Sequence, residues 1–571
     1  MQQIKDRLGK RMSESQDELL AKRQKANDPY EFQENTFVEY GSVFDGDESD
    51  VLDEISNGYY PNFFWIELSL FANVFLSGFD GTVTASTYTT IGDEFKATNT
   101  ASWITTSYLI TSTAFQPLYG SFSDILGRRS CLIGATSFFI FGCIGCSFSS
   151  NIIMLDVMRA LTGVGGGGLV TLATIVNSDI IAPEQRGNWQ AFQNLLLGFG
   201  GICGASFGGV IAETFGWRWC FLLQAPIGFT GVIIGYFFIQ NPPRKESFDD
   251  DGHKKSMDKI DFQGSITLVL ALSLQLLVLS VGGSQLAWSD IRLIGLFVLS
   301  CLFMLIFAII EIKTKALPII PPVLLHDPFG FIILGVGIMV GIASYAYLFI
   351  LPLLFRIVLG DNISQAGLRL TIPSLFTPVG GLIAGYFMSK GANTLFKLVS
   401  CGALLMFLGN FLALKIDEGE NPWVLGLYLV PANIGQGIIF PSSLFSFIYI
   451  FDKDKQAIAT STAYLFRSIG SVWGVAGSST IIRHVLKIVV SNSLSHVPGL
   501  SKKDIAGVVE KVSQDISSIE TLEPEIAFWV NKGYATAIRE AQAFSTLCCF
   551  ICLSLCGLKV LLKIKSRSSY D

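Results

Sequence analysis

Gly120-Ser-Phe-Ser-Asp124-Ile-Leu-Gly127-Arg128-Arg129 is the stretch that decides how this chain is read. It follows the apolar run Trp103 to Leu118 and precedes another, Cys131 to Phe148. An apolar segment of about twenty residues crosses the ~30 Å hydrocarbon core of a bilayer as a helix. A glycine-bracketed acid ending in paired arginines, wedged between two such segments, does not fit a soluble catalytic loop. It fits a short loop at a membrane face, and the chain around it is expected to be membrane protein.

Composition agrees. Of the 571 residues, 50% are hydrophobic and only 15% charged, against roughly 25% charged in soluble domains. The mean hydropathy is +0.50. The net charge of −6 says little about partners, because charge sits in tails and loops, where its placement sets topology. No basic surface for nucleic acid is evident. Cys143, Cys146, Cys203, Cys220, Cys301 and Cys401 lie inside apolar runs, where they read as small packing residues. Cys549 and Cys552 form a CxxC that Cys556 extends along one helical face. Without a histidine or carboxylate beside it, no metal or redox cofactor is expected there. The four histidines, His253, His326, His484 and His496, are read as loop residues. No nucleophile–base pair stands out, so the chain is not read as an enzyme.

Apolar segments recur about fourteen times, from 63–90 to 538–562, giving an all-α polytopic membrane protein. Residues 1–62 read as a disordered cytosolic tail: they are polar, with no apolar core of a signal peptide. The tail's Glu14-Ser-Gln-Asp-Glu-Leu19-Leu20 resembles an acidic dileucine sorting signal. Residues 63–240 would form an N-terminal six-helix bundle, 241–322 a cytosolic loop with two linker helices, and 323–483 the first five helices of a C-terminal bundle. A lumenal loop at 484–537, a last helix at 538–562 and a cytosolic tail at 563–571 complete the chain. An even number of crossings puts both termini on one side. Basic residues choose the cytosol: Arg128, Arg129, Arg186, Arg244, Lys245, Lys254, Lys255, Lys259, Lys313, Lys315, Lys390, Lys397, Lys453 and Lys455 fall inside, and little beyond Lys96, Arg218 and Arg292 outside. Asn362-Ile-Ser364 is a glycosylation triplet on the outer side.

The opening stretch resembles the loop between the second and third helices of the major facilitator superfamily of secondary transporters. That resemblance implies a gating role for Gly120, Asp124, Gly127, Arg128 and Arg129, latching the two halves on the cytoplasmic side. Phe79-Asp80-Gly81-Thr82 resembles an element of the fourteen-helix drug:proton antiporter branch, and Arg159-Ala-Leu-Thr-Gly163 another. Gly200-Gly-Ile-Cys-Gly204-Ala205-Ser-Phe-Gly208-Gly209 resembles the antiporter motif, with Ala205 standing where a proline is usual. Phe115-Gln116-Pro117-Leu-Tyr119-Gly120, Glu213-Thr-Phe-Gly-Trp217-Arg218 and Phe466-Arg467-Ser-Ile-Gly470 look most like fungal vacuolar basic amino acid transporters. The resemblance covers about residues 63–480 and the last span. It implies a monomeric carrier exchanging protons for a small-molecule substrate, basic amino acids, at the vacuolar membrane. A plasma-membrane multidrug:proton exporter is the alternative, and a non-transporting nutrient receptor a more distant one.

Gly163-Val-Gly165-Gly-Gly-Gly168 matches GxGxxG formally, but mid-span it lacks the strand and exposed helix start of a dinucleotide site. Close helix packing or a flexible point is the physical reading. Charge inside hydrocarbon is more telling, at a cost of about 2.5–3.5 kcal/mol per group or more. Asp80 is the clearest intramembrane acid, and Arg159 and Arg467 the clearest bases. At ~1.5 Å per residue, Asp80 and Arg159 sit at similar depth in the outer half of the N-terminal bundle. They read either as a static ion pair or as a proton-coupling carboxylate tuned by a cation, Asp80 then also meeting substrate. Asn73, Gln116, Asn194, Gln224, Asn433 and Gln436 are candidate substrate contacts or interhelical glue. Tyr345 and Tyr347 are candidate aromatic faces for a cation.

Overall fold

The computed structural model describes residues 62–95, 103–241, 260–282, 286–314, 316, 318–320, 328–360, 369, 373, 375–388, 392–416, 422–451, 455–495, 502–514, 519 and 522–568. The tail with its dileucine-like run, the Asn362 triplet, Lys96, Arg244, Lys245, Lys254, Lys255, Lys259, Lys315, Lys390, Lys453, His253, His326 and His496 lie outside these residues, as does the side chain of Ala205.

Helices account for the fold. In the N lobe, α1 (Phe63–Glu94), α2 (Trp103–Leu126), α3 (Arg128–Ser147), α4 (Ile152–Ile180) and α5 (Pro183–Thr214) are followed by α6 (Arg218–Leu222) and α7 (Gln224–Phe238). Two linker helices follow, α8 (Phe262–Val281) and α9 (Ile291–Lys313). The C lobe holds α10 (Pro328–Ile357), α11 (Phe376–Met388), α12 (Ala392–Ala413), α13 (Pro422–Ile448), α14 (Gln456–Leu494), α15 (Lys502–Gln514) and α16 (Pro524–Ser568). Starts are marked by side-chain caps: Asn151 accepts from the Met154 amide, Asp261 from Gly264 and Asp290 from Arg292. The described residues up to Cys556 form one compact unit.

Every one of the fourteen apolar segments overlaps a helix. Ten described helices are long and apolar enough to cross a membrane. α2 is not among them, because Thr113, Gln116, Ser121 and Ser123 are buried along it. A helix that meets protein on most sides does not need an apolar surface all round. The linker helix α9 is the opposite case, with Ile291, Val298, Leu302, Leu305 and Ile312 each half or more exposed. Such a continuous apolar outer face marks a surface for contact with a membrane or another protein.

Two readings change. The opening stretch is mostly helix: α2 runs through Leu126, and the break is Gly127 alone, at φ 91°, where only glycine is unstrained. The segment 484–537, read as a loop, is largely helical, and His484 sits on α14. Leu486, Val490, Leu494, Ile505, Val509, Val512, Ile526, Val530 and Tyr534 bury together there with Ile350 and Leu354 of α10. The low overall hydropathy of this stretch hid an amphipathic pattern.

α1 packs on α5, α2 and α3 on α4, α10 on α14, and α12 on α13. The glycines of α4 serve contact: side chains at 163, 165 and 167 would run into the backbones of Tyr108, Ala135 and Ser112. The lobes meet where α2 touches α14 and α5 touches α11, and α8 leans on the first seam. Cys549, Cys552 and Cys556 pack among Val336, Val340, Val399 and Ile439.

Candidate functional site

The lobes touch at the end of the molecule that carries Gly120 to Arg129. Gly120 faces Ser461 and Ala457 of α14 so closely that a Cβ there would overlap both. Gly187 at the start of α5 meets Gly385 of α11 in the same way. Polar bonds finish the seam: Ser468 donates to Gln116 Oε1 at 2.7 Å, and the Thr174 and Tyr464 hydroxyls lie 2.9 Å apart. Gln190 reaches the Tyr464 hydroxyl at 3.5 Å, and Thr174 also donates to Gln193 Oε1 at 3.2 Å.

The two arginines of the opening stretch bond to groups of the N lobe. Arg128 donates to Asp124 and Ser123 on α2, and through Nε to Asp179 on α4 at 2.8 Å. Arg129 takes its backbone N–H to Asn241 at 3.0 Å and lays its guanidinium 4.2 Å from the Tyr236 ring centre. Of the five expected gating residues, Gly120 packs directly against the other lobe. Asp179 was missed, because one acid near the end of an apolar segment looks like an ordinary helix terminus. Since Asp124 and Asp179 share one buried guanidinium, Asp179→Asn should slow turnover about as much as Asp124→Asn, leaving insertion and substrate binding intact. Equal abundance by blot with unchanged initial rates in either variant would remove this cluster from the cycle.

Asp80 and Arg159 do meet. Arg159 Nη1 donates to both Asp80 oxygens, at 2.7 and 2.9 Å, and its Nε to the Ile104 carbonyl at 3.2 Å. The guanidinium also lies 4.5 Å from the Tyr108 ring centre and 5.5 Å from that of Phe221. Gln224 adds a long bond to Asp80 Oδ1, 3.4 Å. Asp80 is 0% and Arg159 1% exposed, so this pair is sealed inside the N lobe and does not reach the seam.

The amides divide. Asn73 ties α1 to α3, accepting from Thr136 at 2.8 Å; Asn433 ties α13 to α11 through Thr377 at 3.2 Å. Gln116 bridges α2, α4 and α14, donating to Thr171 as it accepts from Ser468. Asn194 and Gln436 are half-buried and make no side-chain hydrogen bond among the described residues. Tyr345 is 43% exposed, and Tyr347 is buried in the C lobe. Arg467 is half-buried in a small cavity lined by Ile333, Gly337, Phe440, Ser443 and Tyr464. Its guanidinium lies between two rings, 4.6 Å from Phe440 and 4.5 Å from Tyr464.

The antiporter-motif glycines also divide. Side chains at Gly200 and Gly204 would strike the carbonyls of Phe75 and Phe79, so these positions let α5 lie flush on α1. Gly208 accepts a bond from Cys220, and Gly209 faces open space.

At the opposite end Glu94 takes bonds from Trp217 Nε1 at 2.6 Å and Arg218 at 2.7 Å, while Arg218 also holds the Ser149 carbonyl. Burial pushes the Glu94 carboxyl up, but the Arg218 and Trp217 bonds outweigh it and hold the group below its ordinary range. A depressed carboxyl contributes stability above its unfolded value of roughly 4.3 and loses it as pH falls through the folded value. The pair is half-exposed, so Glu94→Gln should cost about 1 kcal/mol or less, and thermal scans should show that difference vanishing in acid.

Two helical lobes, joined by linker helices, lined by buried polar groups and closed against each other at one end, define a membrane transporter of the alternating-access kind. The Major Facilitator Superfamily model matches residues 70–475, and the chain belongs to that family. It is 52% identical over 464 residues to vacuolar basic amino acid transporter 2 of Saccharomyces cerevisiae, covering 80% of this chain and 97% of that one. It is 34% identical to a multidrug resistance protein of Schizosaccharomyces pombe, over 84% and 90% of the two chains. Among solved structures it shares the fold of a human organic anion transporter, with a TM-score of 0.55 at 12% identity, over 87% of this chain and all of that one.

Proposed function

We propose that this protein is a proton-coupled antiporter moving lysine, arginine and histidine across the vacuolar membrane into the lumen. The observation that carries the reading is the 52% identity, over nearly the full length of that relative, to a yeast protein named for vacuolar basic amino acid transport. An acidic lumen supplies protons, and a carboxylate inside the membrane accepts either a proton or a cationic solute, which gives exchange by competition. In this reading Asp80 and Arg159 form the coupling pair. Arg159 also meets the Tyr108 and Phe221 rings and the Ile104 carbonyl, contacts that offset part of the cost while a proton transiently neutralises Asp80. Asn194, Gln436 and Gln116 are the amides suited to meet substrate as the lobes part, and Arg467 suits its carboxylate end.

The experiment is uptake of labelled lysine, arginine, histidine and a cationic drug into sealed vesicles carrying the purified protein, with and without a proton gradient. Gradient-dependent lysine uptake is expected. Uptake of the drug alone would favour the multidrug exporter, the reading supported by the 34% relative.

We further propose fourteen crossings with both termini in the cytosol, the Arg128 end facing the cytosol, and a monomeric carrier. A tag placed in α15 should then be protected from protease added to sealed vacuoles, while tags at both termini are cleaved. Cleavage of the α15 tag would overturn that sidedness.

A further inference from the structure

Glu67 is a buried acid that the mechanism above does not use. It lies on the first turns of α1, is 4% exposed, and neither carboxylate oxygen has a hydrogen-bond partner of normal geometry. Its polar neighbour is Asn177 of α4, whose own amide atoms are equally unsatisfied. One turn to either side on α1, Phe63 and Phe71 both pack on Trp189 of α5, with ring centres 4.9 and 6.1 Å apart. This aromatic wall closes one flank of Glu67, and Ile66, Leu70, Val176 and Ile175 form an apolar core around it.

The charged groups at this end of the neighbouring helices are turned elsewhere. On α4, Asp179 is taken by Arg128. On α5, Arg186 donates to the Ile181 carbonyl and lies 6.0 Å from the Tyr449 ring centre. On α7, Tyr236 stacks with Arg129. No charged side chain among the described residues is recorded against Glu67. Charge without a partner is not tolerated at such a site, so the carboxyl is neutral while the site stays dry.

What keeps it dry is the lobe seam. Thr174, one turn from Asn177 on α4, makes the bond to Tyr464 across the lobes, and Gln193, one turn from Trp189 on α5, accepts from Thr174 with its own Nε2 unsatisfied. Polar groups thus step from the seam toward Glu67: Thr174 at the contact, Asn177 one turn along α4, and Glu67 beside it.

We infer that Glu67 is a second proton-binding site, closed when the lobes meet at the Arg128 end and released to water on that side when they part. The step is simple: the carboxyl O–H bond breaks, the proton passes to water at that face, and the carboxylate left behind is offset by an incoming cationic solute. Glu67 and Asp80 are thirteen residues apart on one helix, about 20 Å, so the two acids serve opposite halves of the membrane in series. This inference rests on the proton-antiport reading of the carrier.

The test uses the full-length protein in liposomes, comparing the parent with Glu67→Gln, an isosteric stand-in for the neutral acid that should stay folded by melting and gel filtration. In infrared difference spectra between high and low pH, the parent should show a protonated-carboxyl band that Glu67→Gln lacks. Gradient-driven lysine accumulation should fall in Glu67→Gln on the order of tenfold more than lysine counterflow, within the roughly 5–150-fold range of coupling between ligand sites. Glu67→Asp should restore part of the pH dependence. An unchanged band, or parental pH dependence in Glu67→Gln, would overturn the inference. If the parent moves no lysine at all, the cargo reading fails on its own, and the infrared comparison still decides the proton site.

Discussion

Asp80→Asn is expected to reduce the abundance of folded carrier before any transport step can be measured. The amide keeps the shape of the carboxylate but leaves Arg159, 1% exposed, without its counter-charge. Breaking one half of a buried pair costs about 3–5 kcal/mol, a large share of the stability of any lobe. Arg159→Gln alone should do the same from the other side, stranding Asp80. The double change Asp80→Asn with Arg159→Gln removes both charges at once and leaves two amides that can bond to each other, so abundance should return. Gradient-driven lysine accumulation should not return, because neither amide titrates. The measurements are blot abundance in isolated vacuoles and uptake normalised to it. If the double variant regains both abundance and pH-dependent uptake, the pair is only a brace between α1 and α4, and coupling must be assigned to another acid.

Much of this was legible in the sequence, because it depends on short-range facts. Segment length and apolar content gave the helices, and depth arithmetic along α1 and α4 predicted that Asp80 and Arg159 would be neighbours. Glu67 and Asp179 were not found. Each lies within a turn or so of a helix end, where an acid normally faces water; only the packing of neighbouring helices buries Glu67 and brings Arg128 of α3 onto Asp179 of α4. The lobe seam was also invisible. Thr174, Tyr464 and Ser461 are common residues in apolar helices, and their meaning comes from a contact between positions 290 residues apart. Local pattern cannot supply the docking of one bundle on another. The opening stretch shows the same limit: the tie from Arg128 on α3 to Asp124 on α2 and Asp179 on α4, and the close approach of Gly120 to α14, arise only when the helices pack.

That glycine gives the most direct handle on the transport cycle. In the closed seam a Cβ at position 120 would overlap the Ser461 side chain and lie 2.9 Å from the Ala457 carbonyl. Gly120→Val therefore opposes closure at this end while leaving the rest of α2 free to pack. Forced overpacking costs typically 1–3 kcal/mol, and about 1.4 kcal/mol is a tenfold shift, so the population with lobes parted here should rise by roughly 5–150-fold. The expected signature is specific. A cysteine placed at Thr174, 2% exposed in the closed seam, should become reactive to a membrane-impermeant thiol reagent from the Arg128 side, and lysine turnover should fall by a similar factor. Ser461→Gly in the same chain removes the side-chain overlap but not the Ala457 carbonyl, so it should restore labelling protection and turnover only in part. A Gly120→Val carrier with unchanged labelling and unchanged turnover, at equal abundance, would mean that the closed seam is not a state the working protein visits.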